Sequence, residues 1–576
     1  MKCVLLNPPL SSPFSPPLGL VSLGTYLRRQ GIDVTLVDAS IEALHYRLAP
    51  HRLLPAAERG AALLQRRVPW EPALPACDRL SNRANPAAAM QAVHGILPTI
   101  WSRDAFELDP ARHDEQLETI HDALILSTAE AQPAALGLGG YDEARASFAP
   151  GSDPFLDYYR EVLVPAVVEA APDVVGVSIG YERQVAFAAT IIAELRRKLS
   201  GVPIITGGSL VSALCINLRP SSGRTVPLRV GTPTCANLLA SMIDTAAVDG
   251  EGEAPMAAIC RAIAPGRSLD GIAGVVRVDH AAQTIRFGPP SPPLAGEALP
   301  SLDLEGLPIG RKYLGRVRAA PLMTSRGCYW NRCAFCDHAV PLDRRFRELP
   351  IETLLESLTT YRRTYGIEFV SFCDEAMPPR MISKVADAIS RERLGIRFGT
   401  MARFERGLAE IIPRAAEGGL AFLSLGLESA SPRVRGLMRK GIEPQSIEET
   451  LEACARHGVR VECHVMFGFP GETTEEAEQT IGFLADNAGR IEALAANQWV
   501  LTPQSPIARD PAAFGVVLEA AGPTAGDRPG YRLEHGIGFE ESRSFVRSLH
   551  EHLTLQNKIV RSYRNEEYFA LRTIGT

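Results

Sequence analysis

The sequence predicts two α/β units in series, a doubly wound parallel sheet followed by a longer βα series of about six repeats. Three observations carry this. The chain opens strand, loop, helix, strand; the pattern returns after a long interruption; and a second βα series begins beyond a proline-rich joint. The length of 576 residues is ample for more than one core.

Residues 2–6 read as a short buried strand, and Asn7 to Pro17 as a proline-rich loop. Leu20, Leu23 and Leu27 recur at helical spacing until Gly31. Ile32 to Val37 is a second strand, ending at Asp38. The pattern then stalls. Residues 41–160, rich in Ala, Leu, Arg and Pro, predict a mostly helical insertion, either a structural cap or a gate for substrate. The sheet resumes at Asp173 to Ile179, and a helix follows from Ala186 to Leu199. The next strand runs from Val202 into Gly207-Gly208-Ser209. Another ends in Val248-Asp249-Gly250-Glu251-Gly252-Glu253, before a helix with Met256, Ile259 and Ile263. Gly274 to Phe287 reads as a hairpin. Pro289-Pro290-Ser291-Pro292-Pro293 is a stiff linker, and the domain boundary falls near residue 300.

In the second half, strands are expected to begin near Ala320, Glu368, Arg397, Ala421, Arg460 and Ala496, with helices between. About six βα units make an incomplete barrel over 301–515. Residues 516–576 read as a helical C-terminal segment, with Phe545, Leu549, Leu553 and Val560 on one face.

Composition bounds the function. Hydrophobic residues are 46% and charged residues 22%, as in ordinary globular chains. Apolar runs fall short of the roughly 18 residues of a membrane span. Met1 to Pro9 lacks the apolar region of a secretory signal, so the chain reads as cytoplasmic. A net charge of −6 argues against a dedicated nucleic-acid binder. Eleven cysteines, an odd number in a long chain, argue against a disulfide scaffold.

Three of those cysteines crowd into Cys328-Tyr329-Trp330-Asn331-Arg332-Cys333-Ala334-Phe335-Cys336, just after the first strand of the second half. Three thiolates can hold three irons of a 4Fe–4S cluster and leave the fourth open to a small molecule. Asp337-His338 follows directly, so a closed zinc site of three Cys and one His is the alternative.

In this order of motifs the sequence resembles the radical S-adenosylmethionine (SAM) enzymes of the cobalamin-dependent subgroup. The family's usual motif has three residues between the first two cysteines, and this chain has four. Phe335, before the last cysteine, matches, and the resemblance places its backbone against the adenine. Asp374 and Glu375, after the second strand, match an acidic pair near the substrate and the methionyl end of SAM. Arg403 ends the third strand. Glu428, in Ser424-Leu425-Gly426-Leu427-Glu428-Ser429, matches a residue near the ribose, and Met438-Arg439-Lys440-Gly441 follows as is usual. Gly468, in Phe467-Gly468-Phe469-Pro470-Gly471-Glu472, matches a stretch that packs near the adenine. In the N-terminal half, Ser178, Gly207, Gly208, Ser209, Gly250 and Glu251 match positions that hold cobalamin and its nucleotide tail. A degenerate sheet that binds nothing is the alternative there. The Asp-x-His-x-x-Gly segment that supplies a lower cobalt ligand is missing, since Ala39-Ser40-Ile41-Glu42 follows Asp38. His45 reads as a surface residue.

The resemblance implies a Rossmann-like cobalamin-binding domain over 1–300, an incomplete (β/α)6 radical SAM barrel over 301–515 and the helical segment. The cofactors would be a 4Fe–4S cluster on Cys328, Cys333 and Cys336, SAM and cobalamin. The implied reaction is carbon methylation of a peptide or natural product: a 5′-deoxyadenosyl radical removes hydrogen, and methylcobalamin supplies the methyl group. An external flavodoxin or ferredoxin would supply electrons. The rivals are a non-methylating ring rearrangement or cyclisation with the same cofactors, and a non-catalytic cobalamin or metal sensor.

Overall fold

This computed structural model describes residues 1–9, 11, 15–49, 51–52, 153–181, 184–220, 225–228, 235–313, 318–337, 345–519, 530–555 and 560–561. The chain forms two compact units, Met1–Pro292 with Asp303–Arg316, and Pro293–Leu302 with Val317–Thr576.

The first unit carries β1 (Lys2–Asn7), β2 (Asp33–Asp38), β3 (Val174–Ser178), β4 (Ile204–Gly207), β5 (Thr225–Pro227), β6 (Ala246–Val248), β7 (Val275–Asp279) and β8 (Thr284–Phe287). They form one sheet in the order β2-β1-β3-β4-β6-β7-β8-β5. The first five are parallel, and β7, β8 and β5 add an antiparallel extension. The order reverses between β1 and β3. In open α/β sheets the crevice beyond the carboxyl ends at such a switch point takes the ligand. α1 (Leu18–Arg29) buries Leu20, Val21 and Leu27, the face its spacing predicts. α2 (Ala39–Leu48) begins where Asp38 caps the Ser40 N–H. α3 (Val185–Arg196) lays Phe187, Ile191 and Leu195 on Val175, Val177 and Ile204. α4 (Ser209–Leu218) follows β4. Of the predicted insertion at 41–160, α2 and a helical stretch over 156–169 form the flanks, and 53–152 lies outside the described residues.

The second unit's main sheet has the order β19-β16-β15-β14-β13-β12-β9, all parallel. β9 (Ala319–Leu322) is followed by a small antiparallel pair, β10 (Ser325–Arg326) with β11 (Arg347–Glu348). Then come β12 (Phe369–Phe372), β13 (Arg397–Ala402), β14 (Leu420–Glu428), β15 (Arg460–Phe467) and β16 (Ala493–Gln498). Strand starts lie within a few residues of those expected. The period-two alternation separates two faces. Thr400, Leu425, Leu427, Val461, Cys463 and Phe467 are buried on one. Met401, Ser424, Glu462 and His464 stand on the other.

The C-terminal expectation needs correcting. β17 (Val516–Glu519) and β18 (Gly530–Leu533) form a hairpin before α5 (Phe539–Leu555). Val560, expected on the helix, starts β19 (Val560–Arg561) and pairs with Ala493 of β16. Leu549 is buried, as its helical spacing predicts. Two residues of strand against an established edge carry too little pattern to read from sequence.

Candidate functional site

The cysteine loop is launched by a pinned strand end. Asp374, 1% exposed, accepts the Thr324 N–H at 3.0 Å and the Thr324 and Ser325 hydroxyls at 2.7 and 2.6 Å. Burial pushes its carboxyl above the usual range, and those hydrogen bonds pull it back. The sequence places Asp374 beside bound SAM. In the structure its oxygens anchor the segment that begins the loop. Glu375, next along, is half-buried.

The loop itself is held by the segment after β14. The Ala334 N–H donates to the Met438 carbonyl at 2.9 Å. Trp330 Nε1 donates to the Arg439 carbonyl at 3.0 Å. Arg403, 4% exposed at the end of β13, donates to the Lys440 carbonyl. Its guanidinium lies 4.2 Å from the Trp330 ring centroid, a cation–π contact. Arg403 Nη1 also reaches Cys333 Sγ at 4.0 Å. The fourth residue between Cys328 and Cys333 is accommodated by Asn331 at φ 43°, a left-handed conformation that Asn tolerates.

Gly441 is required where it stands. Its φ is 65°, and a Cβ there would lie 2.3 Å from Trp330 Cζ2. Gly441→Ala is therefore expected to push the indole off this floor, costing about 1–3 kcal/mol as overpacking does. A red-shifted tryptophan emission and a lower melting temperature check this.

Behind the loop lies a buried ion pair. Lys440 Nζ stands 2.7 Å from Glu428 Oε1, with side chains 9% and 11% exposed. Glu428 sits at a register shift in β14 with φ 65°, a strained conformation of the kind found at functional sites. Burial works against the Lys440 charge, but Glu428 and Cys333 outweigh it and hold its pKa above the usual value. Burial raises the Cys333 thiol, and Lys440 and Arg403 pull it back. The Phe335 carbonyl accepts from the Thr502 hydroxyl at 3.2 Å, leaving a second lone pair.

Gly468 turns at φ 83° after β15 and donates its N–H to Glu472 Oε2 at 2.6 Å. Glu472 is fully buried, and burial pushes its carboxyl up to about 7 against the Gly468 and Phe469 hydrogen bonds. Between the usual 4.5 and about 7 the folded chain holds a proton that the unfolded chain has lost. This group therefore favours the fold at the acid end, and that contribution is gone above about pH 7. Glu472→Gln is expected to flatten the decline in melting temperature between pH 5 and 7.

The donor set fits a thiolate-ligated cluster. Cys328, Cys333 and Cys336 are in no disulfide and are partly exposed. Two cations face Cys333, offsetting the charge such a cluster gathers. Among the described residues, no three His, Cys, Asp or Glu side chains gather tightly enough to hold one metal ion. His338 lies outside the described residues.

In the first unit, the switch point is stitched by a residue the sequence did not flag. Gln184, fully buried, accepts the Gly180 N–H at 2.8 Å and donates to the Pro8 carbonyl at 2.8 Å. It thus ties the loop after β1 to the loop after β3. Gly208, at φ 105°, would place a Cβ 2.4 Å from the Ile179 oxygen, so the turn itself demands glycine. The Ser209 hydroxyl donates to Gly180 O at 2.8 Å, and Gly250 exchanges hydrogen bonds with Ser212. Glu251 is half-buried. Ser178, paired with Gly207 across β3 and β4, keeps its hydroxyl unbonded to protein among the described residues. A flat ligand fits this rim of small residues. His45 is half-buried, not a surface residue: its Nε2 meets the Lys312 carbonyl at 2.7 Å, and burial lowers its pKa. Asp38, 2% exposed, accepts from Asn7 and Tyr313, each at 2.8 Å.

Residues 322–484 match the Radical SAM superfamily. This part of the second unit is thus similar to radical SAM domains. The fold of the chain is also similar to that of two solved structures. It superposes on the radical SAM methyltransferase TsrM from Kitasatospora setae, solved with cobalamin and a 4Fe–4S cluster, with a TM-score of 0.58. Identity is 15%, over 100% of this chain and 94% of that one. The cobalamin-dependent SAM radical enzyme OxsB gives a TM-score of 0.52 at 15% identity, over 84% of this chain and 52% of that one. In sequence, an uncharacterized methyltransferase of Pyrococcus horikoshii is 31% identical over 243 residues, covering 41% of this chain and 52% of that protein. Bacteriochlorophyllide d C-12(1)-methyltransferase of Chlorobaculum tepidum is 24% identical, over 32% of this chain and 40% of that protein. The chain thus aligns with about half the length of these relatives or less.

Proposed function

We propose that this protein is a cobalamin-dependent radical SAM enzyme that methylates a carbon centre of a small molecule or peptide. The observation that carries this reading is the cation-flanked three-cysteine loop at the carboxyl end of β9, in a chain whose fold matches TsrM over its full length. The methyltransferase names of the relatives favour methylation over the other radical outcomes.

When bound, a 4Fe–4S cluster, SAM and cobalamin would supply reductive SAM cleavage and a methyl donor. The chain's residues bind and orient. Cys328, Cys333 and Cys336 hold iron, while Arg403 and Lys440 compensate thiolate charge. Glu428 spends Oε1 on Lys440 and keeps Oε2 for a ribose hydroxyl. The Phe335 carbonyl and the Gly468 turn are assigned to the adenine. Asp374 and Glu375 are assigned as the acidic pair at the methionyl end, with Asp374 also anchoring the start of the cysteine loop. In the first unit Ser178, Gly207, Gly208, Ser209, Gly250 and Glu251 rim the corrin site. We also assign an external flavodoxin or ferredoxin as electron donor, a cytoplasmic location and no nucleic-acid substrate. The lack of disulfides among the described cysteines and the net charge of −6 favour these. Among the described residues no helix is long and apolar enough to cross a membrane.

The test is to incubate the anaerobically reconstituted protein with SAM and a chemical reductant, and to separate the products. 5′-Deoxyadenosine together with S-adenosylhomocysteine supports the methyltransferase. 5′-Deoxyadenosine alone moves the reading to a non-methylating radical enzyme. Neither product overturns it.

A further inference from the structure

The face of the second sheet opposite its apolar core carries a polar cluster that the proposed cofactor site does not use. Ser424 on β14 and Glu462 on β15 are register partners, and His464 stands two residues further along the same face. Ser424 Oγ lies 2.8 Å from Glu462 Oε2 and 2.6 Å from His464 Nε2, and Nε2 lies 3.2 Å from the same carboxylate oxygen. The Glu462 side chain is 2% exposed, whereas His464 is 28% exposed.

The carboxylate oxygen beside Nε2 favours the tautomer that carries its proton there, so Nε2–H is assigned as a donor and the Ser424 hydroxyl as a donor to Glu462. Nδ1 is left without a protein partner among the described residues. Met401 on the same face is 41% exposed, and Cys373 and Asn497 are exposed too, so this face is open. A buried carboxylate is costly unless a cation pairs with it, which favours a second proton on the imidazole. The groups bearing on His464 are Glu462 on its own strand, Glu428 on β14 and Lys440 beyond it. Burial works against the charge and Lys440 opposes it, but the two carboxylates outweigh both and raise its pKa.

We infer that His464, held by Glu462 and Ser424, is a substrate-binding residue whose outward Nδ1–H takes an acceptor oxygen, a carboxylate or amide carbonyl, of the substrate. This rests on reading the open face as the reaction chamber, and it narrows the substrate to molecules bearing such an oxygen. An apolar hydrocarbon would leave the donor unpaired, at a cost that disfavours binding.

The test needs neither cofactor nor turnover. The full chain is made with ring-labelled histidine, and the signal lost in His464→Asn identifies His464 among the twelve histidines. It is titrated alone and with propionate, propionamide or propylamine. The expected result is a pKa above the usual 6.5 that falls in Glu462→Gln. Propionate should raise it further, by about half a unit or threefold in proton affinity. Propionamide should shift the signal, and propylamine should leave it unmoved. A pKa below 6.5, no response to either oxygen-bearing probe, or an equal response to propylamine overturns the inference. Because the apoprotein suffices, failure here leaves the radical reading standing. A failed product assay would likewise not move this signal.

Discussion

Lys440→Met is expected to destabilise the second unit by about 3–5 kcal/mol, the usual consequence of removing one partner from a buried ion pair. The cost comes less from the lost attraction than from the charge left behind. Glu428 is 8% exposed, and Lys440 Nζ is the cation on its Oε1. With Lys440 gone, that carboxylate must stay charged without a partner or take up a proton. The double variant Lys440→Met with Glu428→Gln should recover more than half of the loss, because no buried charge remains. Calorimetry on the full chain measures both. A cost below about 1 kcal/mol for the single variant would mean that solvent screens the pair as it does at a surface.

Replacing Cys333 by Ala is expected to lower iron per chain at least tenfold, and to do so without unfolding the protein. Three thiolates for four irons leave no spare ligand, so two cannot retain the cluster. Cys333 also sits between two cations, Arg403 and Lys440, and its loss leaves those charges facing each other across the loop. Cys328→Ala and Cys336→Ala should match it in iron content. Cys454→Ala is the control, since that thiol is buried on another helix. Retention of about four irons in Cys333→Ala would remove this residue from the ligand set.

Much of this fold was legible in the sequence, and the reasons are specific. The strands at Arg397 and Arg460 begin at the expected residue because they alternate buried apolar residues with others, between clear helices. The cysteine loop was visible because thiol spacing is a rare signal. What the sequence hid were partnerships between residues far apart in the chain. The hydrogen bonds from Thr324 and Ser325 to Asp374 join residues about 50 positions apart. The motif at Met438 to Gly441 marks Lys440, but its pairing with Glu428 depends on a chain reversal that the sequence does not show. Gln184 ties two loops that lie 176 residues apart. The hairpin at 516–533 and strand β19 were missed because their pairing partners, not their own short patterns, make them strands.

The central claim is tested most directly by a metal census of the protein made without oxygen in cobalamin-fed cells: iron, cobalt and zinc per chain. The account predicts about four irons and one cobalt. One zinc and no iron would contradict the radical mechanism, and iron without cobalt would keep the barrel chemistry but remove cobalamin from the first unit.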